Sequence, residues 1–151
     1  MLFRQMTRDL IRVELENWVK ELADVHGSEP FSRSPEWRMH IPADPGVYTL
    51  FEDGKLVYVG ESGSLRNRMK DLTDTRNHTL RRKLGARLGS GGSSKKKFSE
   101  AVERKLNSFM EQHLRVKFLV VHLGRKEIEE AVVRGRPHLY NAKGRRGESS
   151  P

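Results

Sequence analysis

Leu10, Ile11, Leu15, Trp18, Val19 and Leu22 recur at intervals of three and four with charged residues between them. This spacing predicts an amphipathic helix over residues 7–25, with Thr7 as its N-cap. The rhythm then breaks. Gly27, Pro30, Pro35, Pro42 and Pro45 repeatedly deny the backbone the hydrogen bonds of helix and central strand, so residues 26–45 read as a loop covering the domain, anchored by Trp37 and Met39. Residues 47–51 and 56–59 are short runs of β-branched, aromatic and aliphatic residues. Glu52-Asp53-Gly54-Lys55 separates them, and Asp-Gly is a strong hairpin signal. After a turn over residues 60–63, Ser64 is placed to cap a helix carrying Leu65, Met69 and Leu72 on one side, and a second basic helical stretch spans residues 78–88. Val102, Leu106, Phe109 and Met110 predict a helix from Phe98 onward. Residues 116–123 read as a buried strand, and 126–134 as a last helix ended by Gly135 and Pro137. The expected fold is α/β in the α+β sense: a small mixed sheet built on the hairpin and the 116–123 strand, flanked by helices.

Composition narrows what such a domain does. The chain has 151 residues, room for one ordinary domain, and 35% of them are hydrophobic, enough for a modest core. With 29 Lys and Arg against 20 Asp and Glu, the formal charge is +9. Eleven basic residues and three acidic ones fall between residues 61 and 97, so +8 of that charge lies in a quarter of the chain. Charge clustered in this way suits a polyanion, nucleic acid before membrane surface, because each phosphate neutralised releases a counterion. Arg66, Lys70, His78, Arg81, Arg82, Lys83 and Arg87 are the candidate contacts, and nothing in the pattern reports base sequence. The absence of cysteine excludes disulfides, thiolate zinc sites and cysteine nucleophiles. Neither a secretory signal nor a run of about 20 apolar residues occurs, which points to a cytoplasmic protein without a membrane partner. Residues 89–97, rich in Gly, Ser and Lys, read as a flexible loop, and residues 142–151 as a disordered basic tail. The chain therefore divides into residues 1–44, a helix and Pro-rich loop, and residues 45–141, the domain proper. No internal repeat is present.

The hairpin strands carry Gly46-Val47-Tyr48 and Tyr58-Val59-Gly60, with the tyrosines ten positions apart and a basic helix following. Here the sequence resembles the GIY-YIG nuclease superfamily, whose two name-giving tripeptides open the first two strands of a small sheet. In that family an arginine follows the second motif by eight residues, as Arg68 follows Gly60. A metal-binding glutamate and an asparagine come later. Glu129, Pro137, Tyr140 and Asn141 look like that ending, with twelve positions between Glu129 and Asn141, the spacing of the excision-repair branch. Valine replaces isoleucine in both tripeptides, a conservative change at a pleated buried position. Glu130 adjoins Glu129, and the proline-to-asparagine interval is one residue longer than in the repair nucleases, so the metal ligand is Glu129 or Glu130. The resemblance covers residues 45–141 and implies a metal-dependent endonuclease leaving 5′-phosphate and 3′-hydroxyl ends on DNA, or RNA. It implies Tyr48, Tyr58, Arg68, Glu129 and Asn141 as site residues, gathered on one sheet face, and Mg2+ or Mn2+ at Glu129.

The same residues make chemical sense. Phosphodiester hydrolysis needs an activated water and stabilisation of charge on the non-bridging oxygens. One or two carboxylates suffice for Mg2+, which keeps several waters. Arg68 offers a planar, always-charged fork to phosphate. Tyr48 is placed to take a proton from the attacking water, Tyr58 to orient the water or phosphate, and Asn141 to fix the geometry. His78 either assists proton transfer or contacts phosphate, or, the reading its ten-residue distance from Arg68 favours, is a plain surface histidine; the other histidines show no metal-ligand spacing. A strict two-residue loop would pair Tyr48 with Val59 and send the phenols to opposite faces. A three-residue loop or a bulge pairs Tyr48 with Gly60 and Tyr58 with Leu50, and this is the expected register. A binding module of the same fold without catalysis is the alternative. A sequence-specific restriction-type enzyme also fits the fold, although no separate recognition domain is evident.

Overall fold

The computed structural model describes residues 2–89 and 97–141, with side chains from residue 8 onward. The loop expected over 89–97, apart from its two end residues, and the tail expected over 142–151 lie outside the described residues. The elements run α1 (Leu2–Ala23), β1 (Glu29–Pro30), α2 (Pro35–Met39), β2 (Gly46–Glu52), β3 (Lys55–Ser62), α3 (Leu65–Asp71), α4 (Thr79–Leu88), α5 (Glu100–His113), β4 (Leu114–Val120) and α6 (Arg125–Val133). The strands form one sheet in the order β1-β4-β2-β3. The α+β architecture is as expected, but the sheet is not mixed: all three pairings are antiparallel. The β2–β3 pairing is set locally by the turn, the β2–β4 pairing by packing of distant segments. β2 and β3 are joined by a two-residue turn, and α5 passes directly into β4 at Leu114, whose backbone is already extended (φ −100°, ψ 139°).

Asp53 (φ 51°) and Gly54 (φ 85°) both adopt left-handed conformations, as a two-residue hairpin turn of the primed kind requires. Glu52 pairs with Lys55 and Phe51 with Leu56. The register then shifts, so that Leu50 pairs with Tyr58 and Tyr48 with Gly60. Val57 is the extra residue of a bulge on β3. The tight turn and the bulge coexist, and both phenols lie on the same face as a result.

That face packs against α3, α4 and α5. Tyr48, Leu50 and Tyr58 join Leu65, Met69, Leu72, Leu80, Leu84, Leu106 and Met110 in one core. On the opposite face Val47, Phe51, Leu56 and Val59 meet Leu22 from α1 and Ile128, Val132 and Val133 from α6 in a second core. Lys117, nearly buried, donates to the carbonyls of Asp24 and His26 and pairs with Glu21, while Thr49 Oγ1 donates to the carbonyl of Leu22. The end of α1 is thus tied to β2 and β4.

Several boundaries differ from the sequence reading. The first helix starts at Leu2, so Thr7 is not its cap; nothing in Leu2-Phe3-Arg4-Gln5-Met6 breaks a helix. Within the 26–45 segment, Ser34 caps a short helix, its side chain accepting from the Trp37 N–H. Trp37 packs edge-on against Phe31 and near Phe118. Met39, the other expected anchor, is 65% exposed, because it lies on the outer side of this one-turn helix. The 116–123 strand is displaced to Leu114–Val120, since the chain leaves the sheet after Val121 and Leu123 is 88% exposed. No helix among the described residues is long and apolar enough to cross a membrane.

Candidate active site

Tyr48 stands at the centre of the helical face of β2 and is fully buried. Its ring lies across Gly60 on the neighbouring strand: a Cβ built on Gly60 would come within 2.4 Å of both Cζ and Oη of Tyr48. The glycine is therefore required sterically, to let the phenol reach over β3. The Tyr58 ring lies beside it, 6.1 Å between centroids.

Arg68 approaches from α3. The Ser64 side chain caps this helix by accepting from the Asn67 N–H, and Leu65 and Met69 bury its inner side. Arg68 Nε donates to Tyr48 Oη at 3.3 Å. Its Nη1 donates to Asp71 Oδ2 at 3.1 Å and to the carbonyl of Asn77 at 3.0 Å. These partners hold the guanidinium plane while a quarter of the side chain stays exposed. From α4 comes His78, also fully buried, with Nε2 2.8 Å from Tyr48 Oη.

Burial raises Tyr48 well above the ordinary phenol value of 10.0, and the neighbouring Tyr58 adds to the shift while Arg68 opposes it. Tyr58 is raised as well, by burial first, with Arg68 opposing and the charge of Glu129 reinforcing. That coupling places the Glu129 carboxylate within electrostatic reach of Tyr58. Glu129 is half-buried on α6, whereas its neighbour Glu130 is exposed. His78 is pushed well below 6.5 by burial, helped by the cations of Arg68 and Arg82, and is neutral at physiological pH.

Asn141 does not stand on the face of the phenols. Its Nδ2 donates to the Val59 carbonyl at 2.7 Å, its Oδ1 accepts from the Val59 N–H, and the Tyr140 N–H donates to the Val57 carbonyl. The C-terminal turn thus satisfies the free edge of β3 in place of another strand. The expectation of five side chains on one sheet face is corrected accordingly. Tyr48, Tyr58 and Arg68 share that face, Glu129 comes from a helix packed on the opposite one, and Asn141 holds the edge between them.

Comparison with known proteins shows that residues 39–149 match the GIY-YIG catalytic domain. The chain belongs to the GIY-YIG family. It is similar to the UvrABC system protein C of Maricaulis maris, 42% identical over 43 residues, which is 28% of this chain and 7% of the relative. The UvrABC system protein C of Haloquadratum walsbyi is likewise 42% identical over 41 residues, 27% of this chain and 7% of that protein. The chain thus matches these relatives over about 7% of their length. No solved structure matches.

Much of the basic cluster of this GIY-YIG domain is committed internally. Arg81 is buried: its Nη2 pairs with Glu103 at 2.7 Å, and it also donates to Thr75 Oγ1 and the Leu72 carbonyl. Arg81 and His78, expected as nucleic-acid contacts, have no surface to offer. The sequence pattern marks their charge but cannot reveal which partners lie across the core. Arg66 donates to the carbonyls of Ile41 and Met39, Arg82 to those of Thr75 and Arg76, and Lys83 to that of Tyr140. Arg87 bonds Tyr140 Oη and Glu52 and lies over the Phe109 ring. Lys70 is exposed, on a polar cleft of about 440 Å³ that also includes Asp71 and Asp74. Two carboxylates beside one lysine make that cleft a poor anion site.

Among the described residues no group of three or more His, Cys, Asp or Glu is gathered to hold a metal ion. Mg2+ retains most of its waters and needs one or two carboxylates, so the half-buried Glu129, whose charge acts on Tyr58, fits it, while a zinc-type cage does not. Sequence reasoning placed His78 at the start of α4 but missed its burial against Tyr48. The cap position was legible, because the basic helical stretch opens at this residue, but its burial depends on Tyr48 across the core.

Proposed function

We propose that this domain is an endonuclease hydrolysing DNA phosphodiesters with a divalent cation, Mg2+ or Mn2+, held at Glu129. The observation that carries this reading is the meeting of Arg68, Tyr48 and Tyr58 at one point, with the charge of Glu129 acting on Tyr58. Arg68 remains cationic and partly exposed, with its fork aimed beside two phenols, the arrangement that binds a phosphate and offsets charge growing on its non-bridging oxygens. When bound, the cation supplies Lewis acidity and lowers the pKa of a coordinated water. The two phenols would take up the proton of the attacking water and orient it, with the buried Tyr48 acting through the neighbouring Tyr58. Neither ionises readily while buried, so their role depends on the positive charge of Arg68 and of a bound cation. Asn141 keeps β3, and with it Tyr58, in register.

Supercoiled plasmid is the direct test. Nicking is expected with Mg2+ or Mn2+ and not with EDTA, leaving 5′-phosphate and 3′-hydroxyl ends. Arg68→Ala and Glu129→Ala should each lower the rate by roughly 100-fold or more. Glu130→Ala should leave it within about twofold, since that carboxylate faces solvent. Salt-sensitive DNA binding with no cutting under either metal would replace this reading with a binding module.

A further inference from the structure

His78 is unusual in that both ring nitrogens are occupied inside the protein. Nδ1 accepts the backbone N–H of Leu80 at 3.1 Å and thereby caps α4. A nitrogen that accepts an N–H carries no proton of its own, so in the neutral ring the single proton sits on Nε2. That proton is directed at Tyr48 Oη, 2.8 Å away. The same oxygen accepts from Arg68 Nε. Two donors fill the acceptor capacity of a phenol oxygen, which leaves Tyr48 only its own proton to give. Tyr58 is the phenol beside it, and it is the less buried of the two, 8% exposed against 0%.

We propose that His78 is a positioning residue: locked by the Leu80 N–H, it fixes the direction of the hydrogen bonds from His78 through Tyr48 to Tyr58, so that Tyr58 is the phenol presenting its hydroxyl to the reacting groups. The inference deepens the nuclease reading and rests on it for its kinetic half. Tyr48, with no exposed surface, acts through its neighbour. Tyr58 is on the edge strand and feels the charge of Glu129.

One measurement is independent of activity. Long-range proton–nitrogen spectra of the full chain labelled at histidine should show the His78 ring singly protonated at Nε2 at neutral pH, with the signal assigned by its loss in His78→Gln. A proton on Nδ1, or a doubly protonated ring, overturns the inference. Kinetics supply the second arm. His78→Asn keeps an oxygen in place for the Leu80 N–H but is too short to reach Tyr48, whereas His78→Gln reaches Tyr48 with an amide N–H and caps less well. His78→Asn should lower kcat on the order of 10-fold to 100-fold with KM within about twofold, and His78→Gln should recover a large part of kcat despite its lower melting temperature. Equal losses in both variants mean that His78 only fills space. Tyr58→Phe should cost more kcat than Tyr48→Phe, and the reverse order removes Tyr58 from the reacting position. If the wild-type chain does not nick DNA, the nuclease reading fails, while the spectra still decide the direction set by His78.

Discussion

On the face of the sheet covered by α1 and α6, Val47, Phe51 and Val59 meet Leu22, Ile128 and Val132 in an apolar contact that needs only shape and volume. One residue along the same strands, on the face covered by α3, α4 and α5, Tyr48 and Tyr58 stand among apolar residues but carry oxygens, and each neighbouring polar group must find a partner. Arg68 uses Asp71, the Asn77 carbonyl and Tyr48. His78 uses Leu80 N–H and Tyr48, and Arg81 uses Glu103, Thr75 and the Leu72 carbonyl. The first face tolerates exchange of one aliphatic residue for another. The second is a chain of dependent contacts, in which one displaced atom leaves others unsatisfied.

The largest expected break in this contrast is Gly60→Ala. Its Cβ would occupy the place of the Tyr48 phenol, so nicking should fall on the order of 100-fold. Gly63→Ala is the matched control: its Cβ would meet nothing nearer than Arg125 Nη1 at 3.7 Å, and the rate should stay within about twofold. Full activity in Gly60→Ala would show that Tyr48 need not lie over β3. Next in size come paired losses of stability, read by denaturant unfolding. Glu103→Ala leaves the Arg81 cation buried and unpaired and should cost about 3–5 kcal/mol. Leu22→Ala on the other face should cost about 2–5 kcal/mol through a cavity. The two are told apart by repair: adding Arg81→Met to Glu103→Ala should recover much of the loss, because it removes the stranded charge. No recovery would mean that the pair does not carry the cost.

The smallest effect is a pH slope. The native pKa of His78 lies below the ordinary 6.5, so on acidification the unfolded chain takes up a proton that the folded chain refuses. The stability linked to this group is complete above pH 6.5 and is lost as pH falls below it. Melting temperature against pH should therefore bend downward below 6.5 in the wild type, and this component should vanish in His78→Asn. An unchanged bend would assign it to other groups.

Periodicity, turn chemistry and motif spacing were enough to place the hairpin, Ser64 at the start of its helix, and the Tyr48, Tyr58 and Arg68 set, because these depend on residues close together along the chain. The pairing of Tyr48 with Gly60 was also accessible, since only a bulge or an odd loop puts both phenols on one side. Other features depend on distant segments meeting. That β4 lies antiparallel beside β2, that Asn141 closes the edge of β3, and that Arg81 is spent on Glu103 rather than offered to phosphate are outcomes of packing across the core. A charged side chain has the same sequence signature on a surface as in a satisfied buried pair. Only the tertiary structure decides which partners reach it, because the desolvation cost of burying it and the hydrogen bonds that offset this cost come from residues the local sequence does not contain.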